Sequence, residues 1–217
     1  FLTYAVQKAG APQRWLPPEK VFINDLIGVD ATSSEERLTP PVKPEDLAAL
    51  LDQMEADGRH DLRLATGLIA LFGLRPAELA VLTVKGDKLY AGAVKRNIAT
   101  LAQKAKPPRR CLPLDIVGRE GEGKRLLQLY SSGLVKLPMA VANEISKVEE
   151  KGTFQQVGHA FGQLLKRYEP WRNLVRRNPD ITPYSLRHSW AWRCHVCSNN
   201  ALHVRQAAAL MGHTVVV

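Results

Sequence analysis

The chain has 217 residues, 45% of them apolar and 24% charged, and a net charge of +9. That length suits one good-sized domain or a domain with an appendage, and no run reaches the ~20 apolar residues of a membrane span. Three cysteines make an odd count for a disulfide framework, so a reducing compartment fits.

The N-terminal FLTYAVQKAG lacks a basic n-region and a small-residue cleavage site, so it does not read as a signal peptide. It starts without methionine inside an apolar stretch, as expected of a fragment. Residues 1–16 read as a helix end halted by Pro17-Pro18. From 17 to about 43 the composition is that of a linker, and a domain boundary is expected there. PEDLAALLDQMEADG (44–58) places Leu47, Leu50, Leu51 and Met54 at helical period, with Gly58 as a stop. DLRLATGLIALFG (61–73) predicts a more buried helix, and PAELAVL (76–82) a third one opened by Pro76. KLYAGAVKRN and RRCLPLD read as short strands around the basic QKAKPP. Helices resume at 123–133, 153–168, 183–197 and 201–212, while 134–152 fits neither pattern. The expected fold class is mainly α with a small antiparallel β-sheet, α+β.

The positive charge is concentrated. Residues 95–125 hold nine Lys/Arg against three Asp/Glu, and residues 166–193 hold seven against two. Such clustering is the electrostatic footprint of a phosphate-rich partner, and equally of two solvated basic faces. Cys194 and Cys197 form a CxxC with no second ligand pair at zinc-finger spacing, which reads as buried small side chains rather than a metal or redox site.

Three short motifs could carry chemistry. In GLRPAEL, Gly73 ends one helix and Pro76 opens the next, so Arg75 sits at a turn where a guanidinium and nearby amides can meet an anion. Glu78, three residues on, can hold Arg75; an ordinary helical corner with a surface arginine is the competing reading. In TPYSLRHSWAW, Thr182 is a candidate N-cap, and Tyr184 shares a helix face with Arg187 and His188. In LMGHT, His213 after Gly212 taken alone reads as a helix C-terminal cap.

Together and in this order, Gly-Leu-Arg-x-x-Glu-Leu, a basic hairpin, x-x-Leu-Arg-His and Leu-x-Gly-His resemble the tyrosine recombinase (phage integrase) family. The resemblance covers roughly residues 38–217. It implies the family's catalytic-domain fold over residues 39–217, with residues 1–38 as a remnant of the core-binding domain plus linker. Members cut and rejoin DNA without metal or cofactor: a tyrosine attacks the scissile phosphodiester, forming a 3′-phosphotyrosine and freeing a 5′-hydroxyl. The phosphorane carries extra negative charge, which preorganised cations stabilise.

The resemblance implies Arg75 and Arg187 as the two catalytic arginines and His213 as a hydrogen-bond donor to the phosphate, with Glu78 and His188 in support. Lys104 aligns best with the lysine that protonates the leaving oxygen, and Lys106 is close enough to compete. Tyr184 stands where the family often has histidine; it can bond a phosphate oxygen but is a poor general base at neutral pH. Lys95, Arg96, Arg109, Arg172, Arg176 and Arg177 are expected to contact the DNA backbone. The chain's tyrosines, at 4, 90, 130, 168 and 184, all precede His213, whereas the family's nucleophile follows it. A phosphate clamp without its nucleophile is therefore expected, with the native chain continuing past Val217; the alternative is a non-catalytic DNA-binding protein that keeps the fold. The resemblance further implies double-stranded DNA as partner, a homo-tetramer on DNA when full length, a monomer for this fragment, and a cytoplasmic, nucleoid-associated, bacterial or phage-derived protein with no membrane association.

Overall fold

In the computed structural model, the described residues are 39–94, 107–148, 154–196 and 204–212, with Pro12 and Leu202. The chain divides into two compact units, Phe1–Leu38 and Thr39–Val217, and the described fold is that of the second. It is mainly helical with one three-stranded antiparallel sheet. No helix among the described residues is long and apolar enough to cross a membrane.

Helix α1 (Pro44–Ala56) opens on Pro44 with Glu45 and Asp46 in its first turn, where carboxylates complement the helix dipole. It buries Leu47, Leu50, Leu51 and Met54, one stripe at helical spacing. Helix α2 (His60–Phe72) is buried along its whole length from Leu62 to Phe72 and forms the centre of the core. It packs against α1, α3 (Glu122–Ser132) and α7 (Ser185–Val196).

Helix α2 ends on Gly73, in the left-handed region at φ 63°, and its amide donates to the Ile69 carbonyl. A side chain at Gly73 would be strained and would also sit 2.9 Å from the Trp190 indole. The chain then turns at Arg75 into a 3-10 helix, Pro76–Val81. An α-helix was expected over 76–82. The segment instead closes on an i to i+3 bond, Glu78 amide to Arg75 carbonyl at 2.8 Å, and passes at once into β1 (Leu82–Lys85). Strand β1 pairs with β2 (Lys88–Ala91) across the two-residue turn at Gly86-Asp87, and β2 pairs with β3 (Arg109–Cys111).

Helix α4 (Met139–Ser146) occupies the stretch that fitted neither pattern. Helix α5 (Gln155–Arg167) packs closely on the 3-10 helix at Gly158, where a Cβ would stand 3.2 Å from the Ala77 amide nitrogen. Helix α6 (Glu169–Arg177), which the sequence reading passed over, buries Trp171 and Leu174. Helix α8 (Val204–Leu210) rests on α7 through a small apolar cluster of Trp190, Cys194, Ala207 and Met211.

Helix α7 is unusual in burying polar side chains along with Leu186 and Trp190: Ser185, Arg187, Ser189 and Arg193 are all within it. Their donors satisfy main-chain carbonyls of neighbouring elements. Ser189 Oγ donates to Val42 O at 2.8 Å, Trp190 Nε1 to Leu112 O at 3.0 Å, and Arg193 Nη2 to Ala70 O at 2.6 Å. Buried donors paired in this way avoid the desolvation cost of an unmet hydrogen bond.

Candidate functional site

The site forms where the α2 corner, β3, α7 and the end of α8 meet. Arg75 is the residue before the 3-10 helix. Its backbone N–H donates to Glu78 Oε2 at 2.7 Å and its Nη1 to Glu78 Oε1 at 2.9 Å. Glu78 is almost fully buried, at 2% side-chain exposure, and also receives Arg109 Nη2 at 2.6 Å, while Arg187 Nη1 stands 3.7 Å from it. Three guanidinium groups thus share one carboxylate.

The three arginines differ in what they show to solvent. Arg75 is 23% exposed and lines an open groove of about 420 Å³. Arg109 is 14% exposed; its Nη1 donates to Leu210 O and to Cys111 Sγ, and its buried Nε has no hydrogen-bond partner among the described residues. Arg187 is completely buried, and its guanidinium donates to Gly73 O and Met211 O. Burial, and then the neighbouring Arg75 charge, push Arg187 down to about 10, with Tyr184 and Glu78 acting in the opposite direction. It is still cationic at neutral pH.

Tyr184 lies just before α7 and is 38% exposed at the same groove. Its ring meets His188 edge-on, with centroids 5.2 Å apart. Burial and the adjacent Arg187 hold the half-buried His188 imidazole below its ordinary value, so it is neutral at neutral pH. Thr182 Oγ1 accepts the Tyr184 amide at 3.3 Å, and Ser185 Oγ accepts the Thr182 amide at 3.0 Å, which fixes the entry into α7. The far wall of the groove is the polar face of α5, with Gln155, His159, Gln163 and Lys166 one turn apart in succession.

The structure therefore brings Arg75, Glu78, Tyr184, Arg187 and His188 together. Arg109, expected at the surface against a DNA backbone, is instead committed internally to Glu78 and to the end of α8; strand alternation places it on the inward side with Cys111 while Arg110 points out. Arg172 and Arg176 are exposed and paired with Glu169, and Arg177 is exposed and paired with Asp46. These three lie on α6, apart from the Glu78 cluster. Lys95, Arg96, Lys104, Lys106 and His213 lie outside the described residues, as does Cys197. Cys194 is a buried thiol pushed up to about 11 by burial, and Cys111 likewise. No cluster of three or more potential metal ligands occurs among the described residues. The two-residue period of β3 signals the inward role of Arg109, whereas no sequence motif marks the α5 wall. Comparison with family models, curated proteins and solved structures gives no match to this chain.

Proposed function

We propose that the chain binds the phosphodiester backbone of double-stranded DNA at Arg75, as the phosphate-holding part of a metal-independent strand-transferring recombinase of the tyrosine class. The observation that carries this is the charge balance around Glu78. Elsewhere in the same unit the buried Arg63 belongs to a balanced network, in which Arg63, Arg119 and Arg125 meet Glu122, Glu55 and Asp52. Around Glu78 the balance is lost: among the described residues three cations meet one anion. A surplus of buried positive charge is costly unless an anion completes it. The surplus opens to solvent at Arg75, in a groove also lined by Tyr184 and Lys166.

Arg75 is suited to hold two phosphate oxygens through its planar fork, already aimed by the bond from its Nη1 to Glu78 Oε1. Tyr184 supplies a hydroxyl donor at the same opening. Arg187 acts from behind, through its charge and by fixing the Gly73 and Met211 carbonyls. In strand transfer such cations would stabilise the phosphorane, and losing one preorganised donor typically raises a barrier by about 3–4 kcal/mol.

The test is fluorescence anisotropy with a labelled duplex over a salt series. Arg75→Ala should weaken binding by about tenfold or more, the value of a charged hydrogen bond. Arg75→Lys, a point charge without the fork, should fall between. Wild-type affinity in Arg75→Ala would overturn the assignment. The burial of Arg187 favours a second reading, a DNA-binding domain that keeps the fold without the chemistry. The two separate on a nicked suicide duplex: a gene product extended beyond Val217 by a tyrosine-bearing segment should form a covalent adduct under the first reading and none under the second.

A further inference from the structure

Arg109 joins the Glu78 carboxylate to the end of α8, beside the buried Arg187, which reaches the Met211 carbonyl. One edge of its guanidinium, Nη2, meets Glu78 Oε2 at 2.6 Å. The other, Nη1, donates to Leu210 O, the last carbonyl of α8. Such terminal carbonyls have no intrahelical partner, so a guanidinium there acts as a C-terminal cap. The chain then passes directly over the cluster. Gly212, at φ 73°, lies so near that a Cβ would stand 3.0 Å from Arg109 Cδ and 3.6 Å from Arg75 Nη1. Apart from the guanidinium bonds, α8 is held by the small apolar cluster with α7.

We propose that Arg109 is a positioning residue that couples docking of α8 to anion binding at Arg75, each favouring the other. This rests on the reading of Arg75 as the phosphate contact. The route is short. Glu78 Oε2 takes both Arg109 and the Arg75 backbone amide, so Arg109 sets the plane of the carboxylate. The other oxygen, Oε1, aims the Arg75 fork. When α8 leaves, Arg109 loses its Leu210 partner, its hold on Glu78 loosens, and Arg75 is no longer preorganised. Linkage makes the converse hold: an anion on Arg75 stabilises the docked α8 by the same free energy. Lysine cannot reproduce the bridge, because it has no planar fork with which to meet Glu78 and the Leu210 carbonyl at once.

The experiment is amide hydrogen exchange at Met211 and Gly212, whose amides donate to Ala207 O and Ala209 O at 2.9 Å each, measured with and without a saturating duplex. In the wild type, duplex should slow both amides about five- to tenfold, the lower end of ordinary coupling energies. In Arg109→Ala the amides should exchange faster without duplex, the duplex should no longer slow them, and affinity should fall by a similar factor. Arg109→Lys, which keeps the charge and guards against a variant that does not fold, should retain part of the affinity yet lose the duplex-dependent protection. Arg59→Ala, on the exposed Arg59–Asp61 pair, serves as the control. Faster α8 exchange on adding duplex to the wild type would show competition for the guanidinium groups and overturn the coupling. Loss of binding in Arg75→Ala with Arg109→Ala indistinguishable from wild type would also overturn it while leaving the phosphate contact standing. Wild-type binding in Arg75→Ala would remove the phosphate contact and the coupling together.

Discussion

Replacing Glu78 by glutamine tests the charge balance directly. The side chain keeps its shape, but one of two occupied acceptor oxygens becomes an NH2 donor facing an arginine N–H, so the change removes the charge and one acceptor together. Glu78 is 2% exposed and lies 2.9, 2.6 and 3.7 Å from the Arg75, Arg109 and Arg187 nitrogens. At an effective dielectric of about 20, each contact has a gross attraction of roughly 4–6 kcal/mol. Most of this is offset by the desolvation of the ions, and removing one partner of a buried pair costs about 3–5 kcal/mol net. For a domain of this size 1 kcal/mol corresponds to roughly 2–4 °C, so Glu78→Gln should lower Tm by about 10 °C. Scanning calorimetry in chloride gives this number. Repeating it in phosphate at matched ionic strength gives a second: with three cations and no carboxylate, phosphate should recover more stability in Glu78→Gln than in wild type, by the mass-action relation for a ligand of the native state. A loss below about 1 kcal/mol, or equal phosphate responses in the two proteins, would refute the view that Glu78 is the counter-charge of an anion site.

Further expectations concern single positions. Gly73→Ala should cost about 2–4 kcal/mol, from the left-handed backbone and from displacement of the Trp190 ring 2.9 Å away, read as a drop in the urea midpoint. His188 has its folded pKa below the ordinary 6.5, so the unfolded chain binds its proton first; stability is constant above about pH 6.5 and falls as pH drops through that value toward the folded pKa. The difference in Tm between wild type and His188→Gln at pH 7.5 and pH 5 should show this, and a difference independent of pH would contradict it. Lys166→Glu should weaken duplex binding and reduce the slope of log K against log salt by about one, the signature of one lost phosphate contact. Cys111, buried with its thiol pushed up to about 11, should resist maleimide in the native protein and react after unfolding, as read by peptide mass spectrometry.

What the sequence disclosed was local punctuation. Gly73 and Pro76 mark a helix end and a helix start so sharply that the position of Arg75 at the turn, with Glu78 in reach, follows from spacing alone, and Glu78 bonds it at 2.9 Å. Elements defined by tertiary context were less legible. Ala77, Glu78 and Leu79 are good helix formers, yet the segment is a 3-10 turn because β1 must pair with β2 directly after it. Helix α6 buries only Trp171 and Leu174 fully among its arginines, too few apolar positions to show a period, although Glu169 and Pro170 are both start signals. The fate of Arg187 was hidden for another reason: whether an arginine faces a ligand or a backbone carbonyl depends on which carbonyls the fold delivers, and Gly73 and Met211 come from distant parts of the chain.

Helix α7 shows why sequence and site are linked here without an obvious amphipathic stripe. Its sequence, SLRHSWAWRCHV, alternates apolar and cationic residues with no clean face. A helix that meets only apolar neighbours sorts its residues into two faces. Helix α7 instead meets the exposed carbonyl ends of other segments: Gly73 after α2, Leu112 and Leu114 after β3, and Met211 after α8. Chain ends of this kind offer acceptors with no partner of their own, so buried donors on α7 are favourable where they would otherwise be costly. The same arrangement gathers partial negative charge from the Gly73 and Met211 carbonyls at Arg187, with the Glu78 carboxylate 3.7 Å away. Carbonyl dipoles satisfy hydrogen bonds without cancelling a net charge. The positive potential therefore remains at Arg75, the one member of the trio that lines the groove.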